Sequence, residues 1–196
     1  MTLRPRTRHR RSAVPGALAI VAVVAVSSLT GCSPSIEAQV DGSLEDAIER
    51  AQDSLWEYRD RIADDPETAI PELSFVSDYR DGLDESEGNA SYTLLGLDAG
   101  DDRATLTLLA SGSAVTGGGW WYTQRDAAVC VDLVFSTSEK SIVTEPATCP
   151  DIPQLAEYDE VVALGDLHPR LVVTQADYPP PVCQCYSGST CDCPGG

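Results

Sequence analysis

Residues 43–63 read SLEDAIERAQDSLWEYRDRIA. Apolar side chains fall at Leu44, Ala47, Ile48, Ala51, Leu55, Tyr58 and Ile62, at spacings of three and four. On a helix of 3.6 residues per turn those positions make one continuous stripe. Ser43 suits the capping position, with Asp46 three residues on. Glu45 and Asp46 place negative charge in the first turn, where the helix dipole favours it. Asp64-Asp65-Pro66 ends the helix. The stripe is a core face, so another part of the chain must supply the layer that covers it.

Residues 90–135 supply a candidate, an antiparallel meander. Ser91 to Leu97 is an apolar run, and Asp98-Ala99-Gly100-Asp101-Asp102 is a turn. From Arg103 to Ala110 the chain alternates, with Ala104, Leu106 and Leu108 on one face and Thr105 and Thr107 on the other. Ser111-Gly112-Ser113 is read as a break, and Gly117-Gly118-Gly119 as a bend or bulge. From Ala127 to Phe135, Val129, Val131, Leu133 and Phe135 share a face; Cys130 and Asp132 share the opposite, less buried one. Further strands are expected at 160–164 and 170–174, and a short one at Leu73–Val76. The fold class is therefore α+β: one N-terminal amphipathic helix packed on a curved antiparallel sheet. Cystatin-like and similar cone-shaped folds have this outline, an analogy that licenses no function.

The first 32 residues follow a different logic. Arg4, Arg6, Arg8, Arg10 and Arg11 precede an apolar run from Ala13 to Val26, then Ser27, Ser28 and Leu29-Thr30-Gly31-Cys32. This is the charged, apolar, small-residue order of an export signal. As an uncut transmembrane anchor, the 17 residues from Ala13 to Leu29 stand at the short end of the spanning range and include Pro15 and Gly16. Arg10-Arg11 leaves a twin-arginine route open, although its neighbours match that motif poorly. Leu29-Thr30-Gly31-Cys32 resembles the lipobox of bacterial lipoprotein signal peptides. The resemblance implies a diacylglyceryl group on the Cys32 sulfur and cleavage of the Gly31–Cys32 bond. It also implies a protein held on the cell membrane, facing outside, by palmitate-type acyl chains. The domain plan is then a signal peptide at 1–31, lipidated Cys32 and a tether at 32–42, an α+β domain at 43–178, and a Pro-rich spacer with a Cys-rich tail at 179–196. Beyond residue 32 no family of known activity is resembled.

Removal of residues 1–31 leaves eight basic side chains against 31 acidic ones, a net charge of −23. Such a surface repels nucleic acid and anionic headgroups. Arginine outnumbers lysine twelve to one, a bias associated with high-GC Gram-positive bacteria. With Cys32 lipidated, six cysteines remain, an even number that suits disulfides in an oxidising exterior. A Cys130–Cys149 bridge would pin the following loop to the outer face of the sheet. Cys183, Cys185, Cys191 and Cys193 lie symmetrically about Tyr186-Ser187-Gly188-Ser189-Thr190, so a turn there lets Cys183 meet Cys193 and Cys185 meet Cys191. Crossed pairing and bridges within each Cys-x-Cys are the other connectivities, and four thiolates around a soft metal ion are the competing chemistry.

Few residues point to catalysis. His168 is the one histidine after the signal, with no nucleophile elbow, zinc-binding helix motif or phosphate-cradling loop to join it. The acidic loop 81–89, with Asp81, Asp84, Glu85 and Glu87, does not have EF-hand spacing. Trp120-Trp121-Tyr122 is the most informative cluster. Neighbours on a strand point to opposite faces, so at most one tryptophan can join the core with its neighbours. The other packs at an edge, against the helix or the disulfide loop, or else stacks on a sugar or grips a peptide. The expectation is a non-catalytic binding or interaction module without cofactor or metal, its partners the membrane and an unknown protein, cell-wall or small-molecule ligand. A tethered enzyme without local motif and a metal-handling tail are the alternatives.

Overall fold

The computed structural model describes residues 34–80, 91–100, 102–118 and 120–179. Cys32, the acidic loop 81–89 and the four tail cysteines lie outside them.

Helix α1 spans Ile36–Trp56. Its cap is Ser35, whose Oγ accepts a hydrogen bond from the Ala38 N–H at 3.2 Å. Ser43 does not cap: its Oγ accepts from the Ser113 N–H, also at 3.2 Å. Residues 36–42, read from sequence as tether, are therefore the first two turns of the helix, and Val40 is buried in the core. Gly42 and Ser43 imitate a helix start, yet one glycine in a helix costs only about 1 kcal/mol. The stripe Val40, Leu44, Ala47, Ile48, Ala51 and Leu55 outweighs it.

The helix also stops early. The Tyr58 N–H bonds to the Leu55 carbonyl at 3.0 Å, which closes a tighter turn, and a second helix, α2, runs Arg59–Asp64. The Arg59 guanidinium donates to the Trp56 carbonyl at 2.8 Å, satisfying one of the acceptors that the helix end leaves over. Asp65 then caps α3 (Pro66–Ala69), with Pro66 in the first turn.

The sheet is mixed and seven-stranded: residues 92–146 form the expected antiparallel meander, and two short strands pair in parallel with it. β1 (Val76–Asp78) runs parallel to β2 (Tyr92–Ala99), which is followed by β3 (Arg103–Gly118), β4 (Trp121–Ser136), β5 (Ser141–Pro146), β6 (Glu160–Val161) and β7 (Val172–Thr174). The spatial order is β1-β2-β3-β4-β5-β7, and β6 pairs in parallel with Ala127–Ala128 of β4. β3 and β4 are sixteen residues each and pair from Arg103↔Ser136 to Gly118↔Trp121. Ser111-Gly112-Ser113 is thus no break. A Cβ on Gly112 would lie 2.8 Å from the Leu44 backbone nitrogen and 3.0 Å from the Ser43 carbonyl carbon. Gly112 is where the strand passes directly beneath the helix backbone.

The helix face of the sheet carries Ala104, Leu106, Leu108, Ala110 and Ala114 of β3 and Val129, Val131, Leu133 and Phe135 of β4, packed on α1 and α2. The opposite face is drier than the sequence suggests. Leu109, Ala128 and Cys130 are buried there beneath Leu95, Leu155 and Tyr158. The Cys130–Cys149 disulfide, with Cα atoms 5.3 Å apart, draws the loop after β5 over that face. Asp132, on the same face, accepts from the Thr107 hydroxyl at 2.6 Å and keeps partial access to water.

Gly112→Ala tests this packing. Elsewhere in a strand the change would be neutral or mildly stabilising. Here the backbone must shift, at a cost of about 2 kcal/mol, or a melting point lower by roughly 6 °C. An unchanged or raised melting temperature would contradict the close approach.

Candidate functional site

The two ends of α1 organise two different surfaces. At about 1.5 Å per residue its 21 residues span about 30 Å, so the ends are well separated. The N-terminal turns lie beside the β3–β4 hairpin. Glu37, Val40 and Asp41 line a small cleft with Arg125, Asp126 and Ala127. The Glu37 carboxyl is held below its usual range, first by a bond from its own backbone N–H at the helix start, then by the Ser35 hydroxyl, with a lesser pull from Arg125.

Beyond that cleft the hairpin continues as a bare ribbon. Pairing of β2 with β3 ends at Leu109, and β6 supports β4 only at Ala127 and Ala128. Residues 115–118 and 121–124 therefore have only each other. Gly117 has φ +98°, a conformation that glycine adopts without strain, and the Trp121 carbonyl sits where its Cβ would be.

At the end of this ribbon stand the aromatic residues. Trp120 is 98% exposed, Trp121 86% and Tyr122 69%; Val115, across the ribbon from Gln124, is 56% exposed. Neither tryptophan joins the core, and the edge packing weighed from sequence is absent. The alternation holds, but it runs past the end of the helix that would have covered the inward face. These four are the majority of the seven large apolar side chains exposed among the described residues, so the patch is concentrated rather than scattered. Residues 103–125 also form the longest stretch after Cys32 without an acidic side chain. That feature is visible in the sequence and marks the arm out from the acidic body.

The C-terminal end of α1 is a clasp. Tyr178 stacks on Trp56 with ring centroids 4.5 Å apart, and Arg59 lies 4.2 Å from the same indole centroid. The Tyr178 hydroxyl donates to Asp53 Oδ1, which also receives Arg170 Nη2 at 3.0 Å. Along α1 the acids Glu45, Glu49 and Asp53 recur every fourth residue and bind one strap of chain. Glu45 accepts from the His168 N–H at 2.7 Å, and Glu49 from the Arg170 N–H at 2.9 Å. Gln52, fully buried between them, donates to the Thr144 hydroxyl and to the Arg170 carbonyl, both at 2.7 Å. His168 belongs to this strap. Its side chain is 88% exposed, and the ring only approaches Glu45, at 3.9 Å. Sequence reading missed the strap because its partners lie more than a hundred residues apart.

Among the described residues, no group of three or more His, Cys, Asp or Glu side chains is arranged to hold a metal ion, and no helix is long and apolar enough to cross a membrane. Comparison with protein-family models, curated proteins and solved structures finds no match for the chain.

Burial, and next the Asp53 carboxylate, push the Tyr178 hydroxyl up to about 12 from an ordinary value of 10.0. A pKa raised on folding means that the neutral form is the one the fold favours. The clasp's contribution is therefore complete below pH 10 and is lost as pH rises from about 10 to about 12. Phenolate absorbance of the wild type minus that of Tyr178→Phe should show one late step near pH 12. A step at pH 10 would contradict the bond to Asp53.

Proposed function

We propose that this chain is a bacterial lipoprotein whose domain works by contact and not by catalysis, with the hairpin tip as its contact surface. Residues 1–31 are the signal peptide, Cys32 carries the lipid, and the domain stands on the outer side of the cell membrane. The observation that carries the reading is the order of Arg4 to Arg11, the apolar run from Ala13 and Leu29-Thr30-Gly31-Cys32. Two features of the domain support it. The helix begins at Ile36, four residues after the lipid-bearing position, so no long spacer intervenes. The large exposed side chains gather at Trp120, Trp121 and Tyr122, at the end of the hairpin arm. His168 lies on an open strap.

Two acyl chains of roughly 15 buried CH₂ groups each, at about 0.8 kcal/mol per group, amount to on the order of 20 kcal/mol, enough to hold the protein on the membrane permanently. Cys32→Ser should yield an uncut precursor without lipid, seen as a larger band and as loss of labelling by a fatty-acid probe. A Cys32→Ser protein that still matures and labels would end the lipoprotein reading.

The tail is proposed as a second disulfide element. Cys183–Cys193 and Cys185–Cys191 are the preferred bridges, because residues two apart on an extended arm share a face and a small stapled segment has little core of its own. An oxidising exterior favours disulfides over bound metal. Thiol titration of the unfolded, unreduced mature protein should find no free thiol. Four free thiols accompanied by bound metal would replace the staple with a metal site.

A further inference from the structure

We propose that the aromatic tip is a second membrane contact, in which Val115, Trp120, Trp121 and Tyr122 enter the headgroup–acyl boundary of the phospholipid leaflet that holds the Cys32 lipid. The proposal rests on the lipoprotein reading and adds to it a surface, an occupant and an orientation.

Position is the first argument. The α1 N-terminus and the hairpin lie at one end of the domain, joined through the Ser113 N–H to Ser43 and through the cleft between Glu37, Val40 and Arg125. From Ile36 back to Cys32 is four residues, at most about 14 Å of chain. From Arg125 out to Trp121 is four residues of strand, about 13 Å. A lipid on Cys32 would therefore keep this end of the domain, and the hairpin on it, within a short chain length of the leaflet. The opposite end, where Tyr178 packs on Trp56, is a helix length away.

Charge is the second. A body of net charge −23 is repelled by an anionic leaflet over most of its surface. The arm, from Val115 to Arg125, carries no acid. At the base of the arm Glu37, Asp41, Asp126, Asp159 and Glu160 line the cleft by Arg125. Asp126 is five residues of strand from Trp121, about 16 Å, beyond the Debye length of about 8 Å at physiological ionic strength. The acids thus repel the leaflet from the body and the base of the arm, and the tip projects past them.

Composition is the third. Tryptophan and tyrosine collect at membrane–water boundaries, where an apolar ring and a polar N–H or O–H are both accommodated. A two-stranded ribbon without a third layer is marginal in water and gains from being covered. A bilayer surface covers both of its faces at once, which a flat glycan or an added strand does not.

The test uses the mature, lipidated protein reconstituted in phosphatidylglycerol-containing vesicles. Tryptophan emission is read against aqueous iodide and against lipids brominated in the acyl chain. Trp56 is buried, so it serves as an internal blank, and Trp120 and Trp121 carry the response. The expected result is a blue-shifted emission, a severalfold loss of iodide quenching relative to detergent-free solution, and quenching by brominated lipid. Trp120→Ser/Trp121→Ser/Tyr122→Ser should still sediment with vesicles, keep its melting temperature and lose both responses. Protein that carries lipid and sediments while its tip stays open to iodide and untouched by brominated lipid overturns the membrane contact alone. Protection from iodide without bromine quenching means that the tip is covered by protein, its own or a second copy's, and overturns it as well. Absence of the lipid mass on the Cys32 peptide removes the anchor, and this proposal with it.

Discussion

The contact on which the structure turns is the passage of β3 beneath α1 at Gly112. Few helix–sheet pairs bring backbone against backbone, because side chains normally hold the layers about 10 Å apart. Here the missing Cβ lets the Leu44 nitrogen and the Ser43 carbonyl carbon occupy space that any other residue would fill. The Ser43 hydroxyl then accepts the Ser113 N–H, on the edge of β3 that β2 no longer covers. The helix is thereby fixed along the long hairpin at one point. Below it lie Leu44, Ile48 and Leu55 on the sheet, and above it the strand pair runs on uncovered.

The two ends of the helix acquire different roles from that one junction. Toward the C-terminus, acids at every fourth position hold the 168–170 strap, and the Trp56–Tyr178 stack closes the domain. These are exposed or half-buried ion pairs and bonds, each worth little, but they form a connected set around Asp53. Toward the N-terminus the bonded set is small: Gln124 donates to the Asp126 carboxylate, and the Asp126 N–H to Asp159. The helix begins beside a ribbon whose side chains, from Val115 to Gln124, are uncharged. Structure is spent on one end, and surface is left on the other.

Much of this was legible in the sequence, and the misreadings have physical causes. Leu44, Ala47, Ile48, Ala51 and Leu55 announced a helix and its buried face, and the alternation of Val129, Val131, Leu133 and Phe135 announced the central strand. Gly42 falls at the end of a stretch that reads as tether, and Gly112 in one that reads as a break. One is tolerated inside a strong helix, and the other is required by a close approach that no local pattern reveals. The strand expected at 73–76 forms at Val76–Asp78 and pairs in parallel with β2, while β5 occupies only six residues ending at Pro146, too few for a periodic signal. The Cys130–Cys149 bridge followed from strand parity, yet the burial of Cys130 depended on the loop it recruits. The aromatic cluster was singled out by residue type, but its exposure was decided by where the helix stops.

Helix α1 runs to within four residues of Cys32 and is locked to the hairpin at that end. Amide hydrogen exchange at residues 40–42 and at Ser113 tests this arrangement. Exchange should be slow at 40–42, inside the helix, and the Ser113 N–H should be protected and become fast in Ser43→Ala while the rest of β3 stays slow. Exchange at 40–42 as fast as in an unstructured tether, or a Ser113 N–H indifferent to the loss of the Ser43 hydroxyl, would contradict it.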